Sequence, residues 1–249
     1  MPEETRRAPV PGEIEAALDR RFTRLAADHE AVALDPPYPL SRDFLDRVEF
    51  FTSFPRRALS AGRTGSFLPP ATCYRLFQAL QGSGLEAPVV ATLTGPCFRR
   101  EPRYDEARRQ AFTMREAVFV AGQDRVTELR DALSDASLSL ANELGLEARL
   151  VEAEDAFFAE PGRAKRLLQR LLRLKVELVA PVAGAPLAIA SFNLHQDFFG
   201  TRLDITVGGH TAWSGCGAWG LERWRLALEE RWGPDHRRWP EAVAGVLSV

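Results

Sequence analysis

Apolar residues near the start of the chain recur at the spacing of an α-helix and predict a first helix over 13–30. The apolar stripe of this helix consists of Ile14, Leu18, Phe22 and Leu25. Residues 1–12 are polar and proline-rich, so we expect a loose arm there. A second helix is predicted over 43–51. A third begins at the prolines of LPPATCYRLFQALQG, because proline favours the first turn of a helix.

Five apolar runs rich in β-branched residues predict strands further along the chain. They are APVVATLTGPCF (87–98), AFTMREAVFVAG, KVELVAPV, LAIASFN and LDITVGG. Amphipathic helices are predicted over 124–147 and 162–174, and LERWRLALEERW predicts a closing helix. Because the strand-to-strand links are short, we expect a mostly antiparallel sheet. The expected fold class is α+β, in one compact domain with a helical N-terminal portion.

The composition is that of an ordinary globular protein and excludes several functional classes. Of 249 residues, 45% are apolar and 27% are charged, and the formal net charge of −2 argues against a protein that holds tRNA or DNA by charge alone. No apolar run approaches the roughly 20 residues of a membrane span. The polar N-terminus lacks the apolar core of a signal peptide, so we expect a cytoplasmic protein. Three cysteines are too few for a disulfide scaffold.

The segment CFRREPRYDEARRQAFTMRE (97–116) is the first candidate for chemistry. One strand presents Arg99 and Glu101, and after a charged loop the return strand presents Arg108 and Phe112. Such a hairpin suits a nucleotide, because a guanidinium grips phosphate oxygens bidentately and an aromatic ring stacks on a base. The residue types alone also allow a solvated charged hairpin with Phe112 in the core.

The segment SGCGAWGLERW (214–224) is the second candidate. Its glycines allow the backbone to approach a ligand closely, and Arg223 follows about one turn into a helix. The spacing is not the dinucleotide-binding fingerprint, and no βαβ unit surrounds it. Alone, the segment also fits a strand-to-helix turn in which the glycines serve packing.

Together, the two segments resemble motifs 2 and 3 of the class II aminoacyl-tRNA synthetases. TGPCFRRE, FTMRE, SFNLHQDFFG and SGC-x-x-x-GLER are similar to the amino acid:[carrier protein] ligases, which are homologous to the catalytic core of the atypical seryl-tRNA synthetases of methanogenic archaea. LPPATCYRLFQAL also fits the segment that precedes this core. The resemblance covers about 65–245. It implies a class II-like antiparallel sheet flanked by helices, with a helical segment over 1–64 packed on a catalytic core over 65–249.

The resemblance implies that the protein uses ATP to activate a small amino acid as an aminoacyl-adenylate, then transfers it to the phosphopantetheine thiol of an acidic carrier protein. By the motif match, Arg99 takes the α-phosphate, Arg223 the γ-phosphate and Arg108 the β/γ end. Phe112 stacks on adenine and Glu101 faces its amino group. Arg99 and Arg223 are therefore the expected catalytic residues, with Mg²⁺ bridging the phosphates.

The resemblance also implies a Cys–Glu–Cys zinc site that binds the α-amino group of the substrate. Cys97 and Cys216 occupy the matching motif positions. The third ligand falls in ANELGLE, where ungapped spacing gives Asn142 and a shift of one residue gives Glu143. Since an amide is a poor zinc ligand, the predicted set is Cys97, Glu143 and Cys216. Cys73 is interpreted as a buried, inert cysteine.

The amino-acid pocket is expected to include Glu116 and residues of SFNLHQDFFG and SGCGAWG. The candidates are Glu116, Ser191, Asn193, Gln196 and Trp219. His195 is interpreted as structural rather than as a ligand or base. The strand LAIAS lacks the acid that helps to bind Mg²⁺ in typical class II cores, which leaves Glu177 on the neighbouring strand as a candidate.

Two partners and two alternatives complete the prediction. Class II cores are usually dimers built on the segment before motif 2, so we expect a homodimer through residues 65–95. The arginine-rich helix 163–175 is either a solvated face or a dock for the acidic carrier protein. Trp213, Trp224, Trp232 and Trp239 are expected to anchor the C-terminal core. The alternatives to the ligase are a truncated seryl-tRNA synthetase, which the absence of a tRNA-binding module argues against, and a non-catalytic synthetase-like binding protein.

Overall fold

The structure, a computed structural model, describes residues 12–54, 56–62, 65–153 and 173–247. The helices of this part are α1 Gly12–Ala27, α2 Arg42–Arg47, α3 Phe50–Ser53, α4 Cys73–Ala79, α5 Gln123–Glu143, α6 Phe198–Leu203, α7 Leu221–Trp232 and α8 Glu241–Leu247. Its longer strands are β6 Val89–Phe98, β7 Ala111–Ala121, β8 Arg149–Glu152, β9 Lys175–Val182, β10 Ala185–Gln196 and β13 Trp213–Gly220. Its short strands are β1 Val32–Ala33, β2 Leu40–Ser41, β3 Leu59–Ser60, β4 Ser66–Leu68, β5 Gly84–Leu85, β11 Thr206–Val207 and β12 His210–Thr211.

A seven-stranded sheet in the order β1-β6-β7-β13-β10-β9-β8 forms the centre of the molecule. β1 runs parallel to β6, and every other neighbouring pair is antiparallel. The prediction of an α+β fold with a mostly antiparallel sheet is therefore confirmed. The run LDITVGG is an exception among the predicted strands, because only Thr206 and Val207 within it are extended, in a small separate sheet.

The glycine-rich run WSGCGAWG is a central strand, which its composition does not indicate. β13 lies between β7 and β10. At two of its glycines, neighbouring atoms leave no room for a side chain. A Cβ atom at Gly217 would lie 2.5 Å from Leu133 Cδ2, and one at Gly215 would lie 2.7 Å from the Asn193 carbonyl oxygen. The glycines therefore let helix α5 and the neighbouring backbone approach the sheet closely.

One face of the sheet is covered by helices α1, α5, α7 and α8. The side chains between them form a continuous apolar core, including Leu18, Phe22, Phe119, Leu133, Phe192 and Trp224. Phe22 stacks on the Trp219 ring with the centroids 5.0 Å apart. Of the four tryptophans expected in the C-terminal core, Trp224 and Trp239 are buried, and Trp213 and Trp232 are partly buried against the same core.

Helix α1 is also held to the sheet by charge. The Arg115 guanidinium donates to both carboxylate oxygens of Asp19, at 2.8 Å and 2.7 Å, and Thr94 donates to the same carboxylate. The helical N-terminal portion is thus packed on the sheet from Gly12 onward. The boundary at residue 64 between segment and core stays a prediction.

The opposite face of the sheet is only partly covered. The short helices α2, α4 and α6 pack there around a second apolar cluster that includes Leu40, Phe44, Phe77, Leu93 and Phe199. The rest of that face remains open as a cleft. None of the described helices combines the length and the apolar character that a membrane span requires. The predicted arm over 1–12 lies outside the described residues except for Gly12, and so does nearly all of the predicted helix over 162–174.

Candidate functional site

The cleft lies on the sheet face opposite α1 and α5, and three neighbouring strands provide its floor. In the register, Glu116 of β7 is opposite Ala218 of β13, which in turn is opposite Ser191 of β10. Asn193 is opposite Cys216. Because side chains alternate between the two faces of a strand, these five residues share one face. All five line the cleft, which encloses about 1240 Å³ including the space at its mouth.

The basic and aromatic half of the cleft contains every predicted nucleotide residue. The set comprises Arg99, Glu101, Arg108, Phe112 and Arg223. The Arg99 guanidinium carbon lies 5.1 Å from the centre of the Phe112 ring, and Arg99 Nε donates to the Pro70 carbonyl at 2.8 Å. The structure therefore brings together Phe112 of β7, three residues of the loop between β6 and β7, and Arg223 at the start of α7.

Arg223 is fixed by two backbone carbonyls from different parts of the cleft. Its Nε donates to Ala107 at 2.9 Å and its Nη1 donates to Ala188 at 2.9 Å. Burial lowers the pKa of the Arg223 guanidinium, and the positive charge of Arg99 acts in the same direction. A buried cation with few water contacts interacts strongly with an anion, so this position suits a phosphate group.

A buried cluster of two cysteines and a glutamate lies at the other end of the cleft floor. Cys73, Glu116 and Cys216 place one ligand atom each within 4.8 Å of one another, and all three side chains are buried. The Glu116 carboxylate accepts hydrogen bonds from the Thr72 hydroxyl and, at 2.6 Å, from the Cys73 backbone N–H. Burial raises the pKa of Glu116 to about 7 in spite of these bonds.

Two side-chain nitrogens lie within hydrogen-bond distance of the Cys216 sulfur. Asn193 Nδ2 lies 3.5 Å and His195 Nε2 lies 3.6 Å from it. The hydrogen bond with Cys73 lowers the pKa of Cys216, and the neighbouring His195 and Asn193 act in the same direction. The same bond raises the pKa of Cys73, and burial adds to it.

The structure does not bring the three predicted metal ligands, Cys97, Glu143 and Cys216, together. Glu143 ends α5 on the far side of the sheet, where it is exposed and lies in a shallow depression with Arg21 and Arg24 of α1. Neither Glu143 nor its neighbour Asn142 can reach Cys216, because the sheet separates them. Among the described residues, the cluster that meets the requirements of a metal site contains Cys216 but neither Glu143 nor Cys97.

Cys97 is buried outside this cluster, but near enough for the charge of Glu116 to raise its pKa. It pairs with Phe112 near the start of β7, whereas Cys216 pairs with Val118 further along that strand. Burial raises the pKa of Cys97, so its thiol remains protonated at neutral pH. Cys73, interpreted from sequence as inert, takes the second sulfur position instead. The only signal for it is its place in LPPATCYRLFQAL, the segment that precedes the core.

Two predicted pocket residues do not line the cleft. Trp219 projects from β13 toward the helices, where it is fully buried and its Nε1 donates to the Ser137 hydroxyl at 3.0 Å. Gln196 ends β10 beyond a bulge, with a φ of 56°, and is also outside the cleft lining. Strand alternation gives the cleft position on β13 to Ala218 rather than to Trp219.

Two further polar side chains line the cleft on β9. Glu177, the candidate for Mg²⁺, lies opposite Ser191, and Lys175 lies opposite Asn193. The Lys175 ammonium is 2.8 Å from Glu177 Oε1. Sequence reasoning did not single out Lys175, since one lysine in a predicted strand carries no motif.

Comparisons with known proteins agree with this geometry. The chain matches no sequence-family model. It is 36% identical over 190 residues to amino acid–[acyl-carrier-protein] ligase 2 of Bradyrhizobium diazoefficiens, a match that covers 73% of this chain and 56% of the ligase. Ligase 1 of the same organism is 35% identical over 191 residues, covering 73% of this chain and 57% of the ligase. The chain thus spans little more than half the length of these relatives.

The wider relationship is to seryl-tRNA synthetases. The type-2 serine–tRNA ligase of Methanopyrus kandleri is 25% identical over 198 residues, covering 72% of this chain and 37% of that protein. The crystal structure of M. kandleri SerRS with A. aeolicus tRNASec superposes with a TM-score of 0.83 at 18% identity, covering 100% of this chain and 57% of that one. The structure of seryl-tRNA synthetase from Pyrococcus horikoshii complexed with ATP superposes with a TM-score of 0.71 at 17% identity. The match covers 88% of this chain and 52% of that one. These matches confirm the class II fold and the resemblance that the motifs indicate.

Proposed function

Because the chain is similar to the amino acid–[acyl-carrier-protein] ligases and has the fold of the class II seryl-tRNA synthetases, we propose that it activates a small amino acid with ATP and transfers it to a carrier protein. One observation carries this proposal: the cleft that holds the arginine and aromatic side chains is also lined by Glu116 and Cys216, which form a buried cluster with Cys73. A nucleotide and an amino acid bound there would have the α-phosphate of one next to the carboxylate of the other.

In the first step, a carboxylate oxygen of the amino acid attacks the α-phosphorus of ATP, and the bond to the β-phosphate breaks to release pyrophosphate. The reaction needs neutralisation of charge more than covalent assistance. In this proposal Arg99 contacts the α-phosphate, and Arg108 and Arg223 contact the β- and γ-phosphates. Phe112 offers the surface on which adenine stacks.

The Cys73, Glu116 and Cys216 cluster fits Zn²⁺. Two sulfurs and one carboxylate oxygen form a donor set that zinc favours, and three protein ligands leave a fourth position for substrate. The buried Asn193 Oδ1, which has no hydrogen-bond partner among the described residues, lies in the same part of the cleft. When bound, zinc would take up the α-amino group of the amino acid as a neutral amine. Asn193 and Ser191 then line the space for the rest of the substrate.

The cation that accompanies ATP would meet the carboxylates on the same floor. Glu177 lines the cleft beside Ser191, and Glu222 lines it beside Arg223 while accepting a hydrogen bond from the Thr113 N–H at 2.8 Å. Carboxylate oxygens and phosphates are the ligands that Mg²⁺ uses in nucleotide sites. Of these two carboxylates, we propose Glu177 as the protein ligand of Mg²⁺.

In the second step, the thiol sulfur of a phosphopantetheine arm attacks the carbonyl carbon of the adenylate. The bond to AMP breaks, and the thiol proton leaves to solvent. The open mouth of the cleft admits such an arm. The proposed dock for an acidic carrier protein, helix 163–175, lies almost entirely outside the described residues.

The test is ATP–pyrophosphate exchange with each of the twenty amino acids, with zinc measured on the same sample. Exchange that depends on one small amino acid, with about one zinc per chain, supports the proposal. Transfer is then tested with carrier protein bearing phosphopantetheine and with carrier protein lacking it. Exchange with serine and charging of tRNASer, without transfer to any thiol, would instead indicate a seryl-tRNA synthetase. An absence of exchange would indicate a synthetase-like binding protein.

We also propose that the protein is a homodimer in solution through residues 65–95, which include the first half of β6, next to the edge strand β1. Beside β6 lies β1, whose Val32 is 65% exposed, and Leu34 next to it is 41% exposed. Apolar side chains on an exposed edge strand favour association with a second chain. Sedimentation velocity is the test, and a monomer at micromolar concentration would exclude the homodimer.

A further inference from the structure

His195 lies behind the Cys73, Glu116 and Cys216 cluster and contacts its sulfur at Cys216. The imidazole is buried at 5% exposure, with Nε2 3.6 Å from Cys216 Sγ and Nδ1 3.2 Å from the Ser214 hydroxyl oxygen. Ser214 and Cys216 are two residues apart on β13 and therefore share one face of the sheet. The ring thus bridges two positions of the neighbouring strand.

The chemistry of these three groups determines where the protons lie. A sulfur that binds a metal has lost its proton and can only accept hydrogen bonds, so the Nε2 atom facing it must carry the hydrogen. In a neutral imidazole the other nitrogen then accepts, and the Ser214 hydroxyl is its donor. Ser214 therefore selects the tautomer of His195 that donates toward Cys216.

Aromatic contacts fix the plane of the ring. His195 meets the edge or face of Phe77 and of Phe199, with ring centroids 5.7 Å and 5.0 Å apart, and both contacts are close to perpendicular. These two phenylalanines stack on each other. A planar ring without nitrogen atoms would keep this packing but lose the hydrogen bonds. Such a substitution therefore tests the hydrogen bonds separately from the packing.

We propose that His195, oriented by Ser214, is a positioning residue that donates a hydrogen bond to the Cys216 sulfur and holds it in place to bind a metal ion. The inference rests on the metal assignment in the proposed function and extends it to residues that do not bind the metal. Asn193 Nδ2, 3.5 Å from the same sulfur, is the second donor of this arrangement. Hydrogen bonds to a ligand from residues around the metal orient that ligand and raise metal affinity.

The test compares His195→Phe, which removes the donor but keeps a planar ring, with His195→Gln, which retains a side-chain N–H. Zinc dissociation constants are measured by competition with a chromophoric chelator. The thiolate-to-cobalt charge-transfer absorption is recorded after Co²⁺ loading. We expect His195→Phe to weaken zinc binding by about 10- to 100-fold and to shift the cobalt band. His195→Gln should lie closer to the wild type in both measurements, and Ser214→Ala should change both in the same direction as His195→Phe.

Thermal unfolding of the metal-free variants shows whether each is folded. A folded His195→Phe protein with wild-type zinc affinity and an unchanged cobalt band would overturn the inference, and so would a wild-type protein that binds no zinc. If His195→Phe does not fold, the inference is tested with His195→Gln and Ser214→Ala, using the same zinc dissociation constant and cobalt absorption band. Zinc binding that depends on His195, in a protein without pyrophosphate exchange, would support the inference and reject the proposed function.

Discussion

The backbone N–H of Cys73 donates a hydrogen bond to the Glu116 carboxylate at 2.6 Å, across a separation of 43 residues. This bond ties the start of helix α4 to the centre of β7. It places the Cys73 sulfur beside the carboxylate and beside Cys216 of the adjacent strand. A cysteine that precedes the motifs thus joins a cluster whose other two members line the cleft.

The first prediction is that zinc content depends on Cys73 and not on Cys97. Cys73→Ser removes one of three ligands, so we expect zinc to fall from about one per chain to a small fraction after dialysis. Cys97→Ser is the matched control, because that thiol is equally buried but lies outside the cluster. Metal analysis of the two purified variants is the measurement. If only the Cys97→Ser variant lost zinc, Cys97 rather than Cys73 would be the zinc ligand, as predicted from sequence.

The second prediction concerns Arg223. Arg223→Ala removes a cation that two backbone carbonyls hold in place, and we expect amino-acid-dependent pyrophosphate exchange to fall by about 10²–10³-fold. Arg231→Ala on the same helix is the control, since Arg231 is exposed and outside the cleft. Equal activity of both variants would show that Arg223 does not contact the phosphates.

The third prediction is a pH dependence of the metal-free protein. Burial raises the pKa of Glu116 from 4.5 to about 7, so ionisation of this carboxyl opposes folding. Its contribution to stability is complete below pH ~4.5 and is lost as the pH rises through ~7, a change on the order of 3 kcal/mol. Glu116→Gln should remove most of this dependence. Unfolding by urea between pH 5 and 8 measures both proteins, and parallel curves would contradict the prediction.

The fourth prediction tests the ion pair between α1 and the sheet. The Arg115 side chain is 8% exposed, and Asp19→Asn would leave this guanidinium without its carboxylate. We expect a loss of about 3 kcal/mol in unfolding free energy, at the lower end for a broken buried pair because Asp19 is partly exposed. Asp28→Asn, at an exposed position just after the same helix, is the control. Equal stability of the two variants would mean that Asp19 does not hold α1 to the sheet.

The fifth prediction tests which face of β13 meets the helices. Gly217→Ala would place a methyl group 2.5 Å from Leu133 and 3.0 Å from Phe192, so we expect a loss of about 1–3 kcal/mol. Gly245→Ala, in helix α8 with open space around it, should be neutral or stabilising by up to ~1 kcal/mol. Chemical denaturation measures both, while zinc content should stay unchanged in both. A stable Gly217→Ala protein would place this residue on the cleft side.

Much of the nucleotide half of the cleft could be predicted from sequence, because its residues lie within two short motifs. Arg99 directly follows β6, Phe112 lies on the paired strand β7, and Arg223 lies in the first turn of α7, which directly follows β13. The local backbone geometry of each motif is sufficient to direct these side chains into the cleft. Ser191 and Asn193 both line the cleft, because they are two residues apart on one strand and so share a face.

The metal half could not be predicted in the same way, because its residues come from separate elements. Nothing local brings Cys73 to Cys216 or separates Cys97 from it; the pairing of β6, β7 and β13 does both. The distance between Glu143 and Cys216 was not predictable for a related reason. Spacing along the chain does not reveal that α5 packs on the face of the sheet opposite the cleft.

By itself, the sequence determined the periodicity of the helices, most of the strands, the mostly antiparallel class of the sheet and the motifs that resemble the class II synthetases. These properties depend on neighbouring residues and on local backbone preference. Only the tertiary structure decided that WSGCGAWG is a central strand, that Trp219 belongs to the core and Ala218 to the cleft, and that Glu116 lies between two cysteines. The physical reason is that side-chain faces and ligand sets depend on strand register and helix packing, which join residues far apart in the chain.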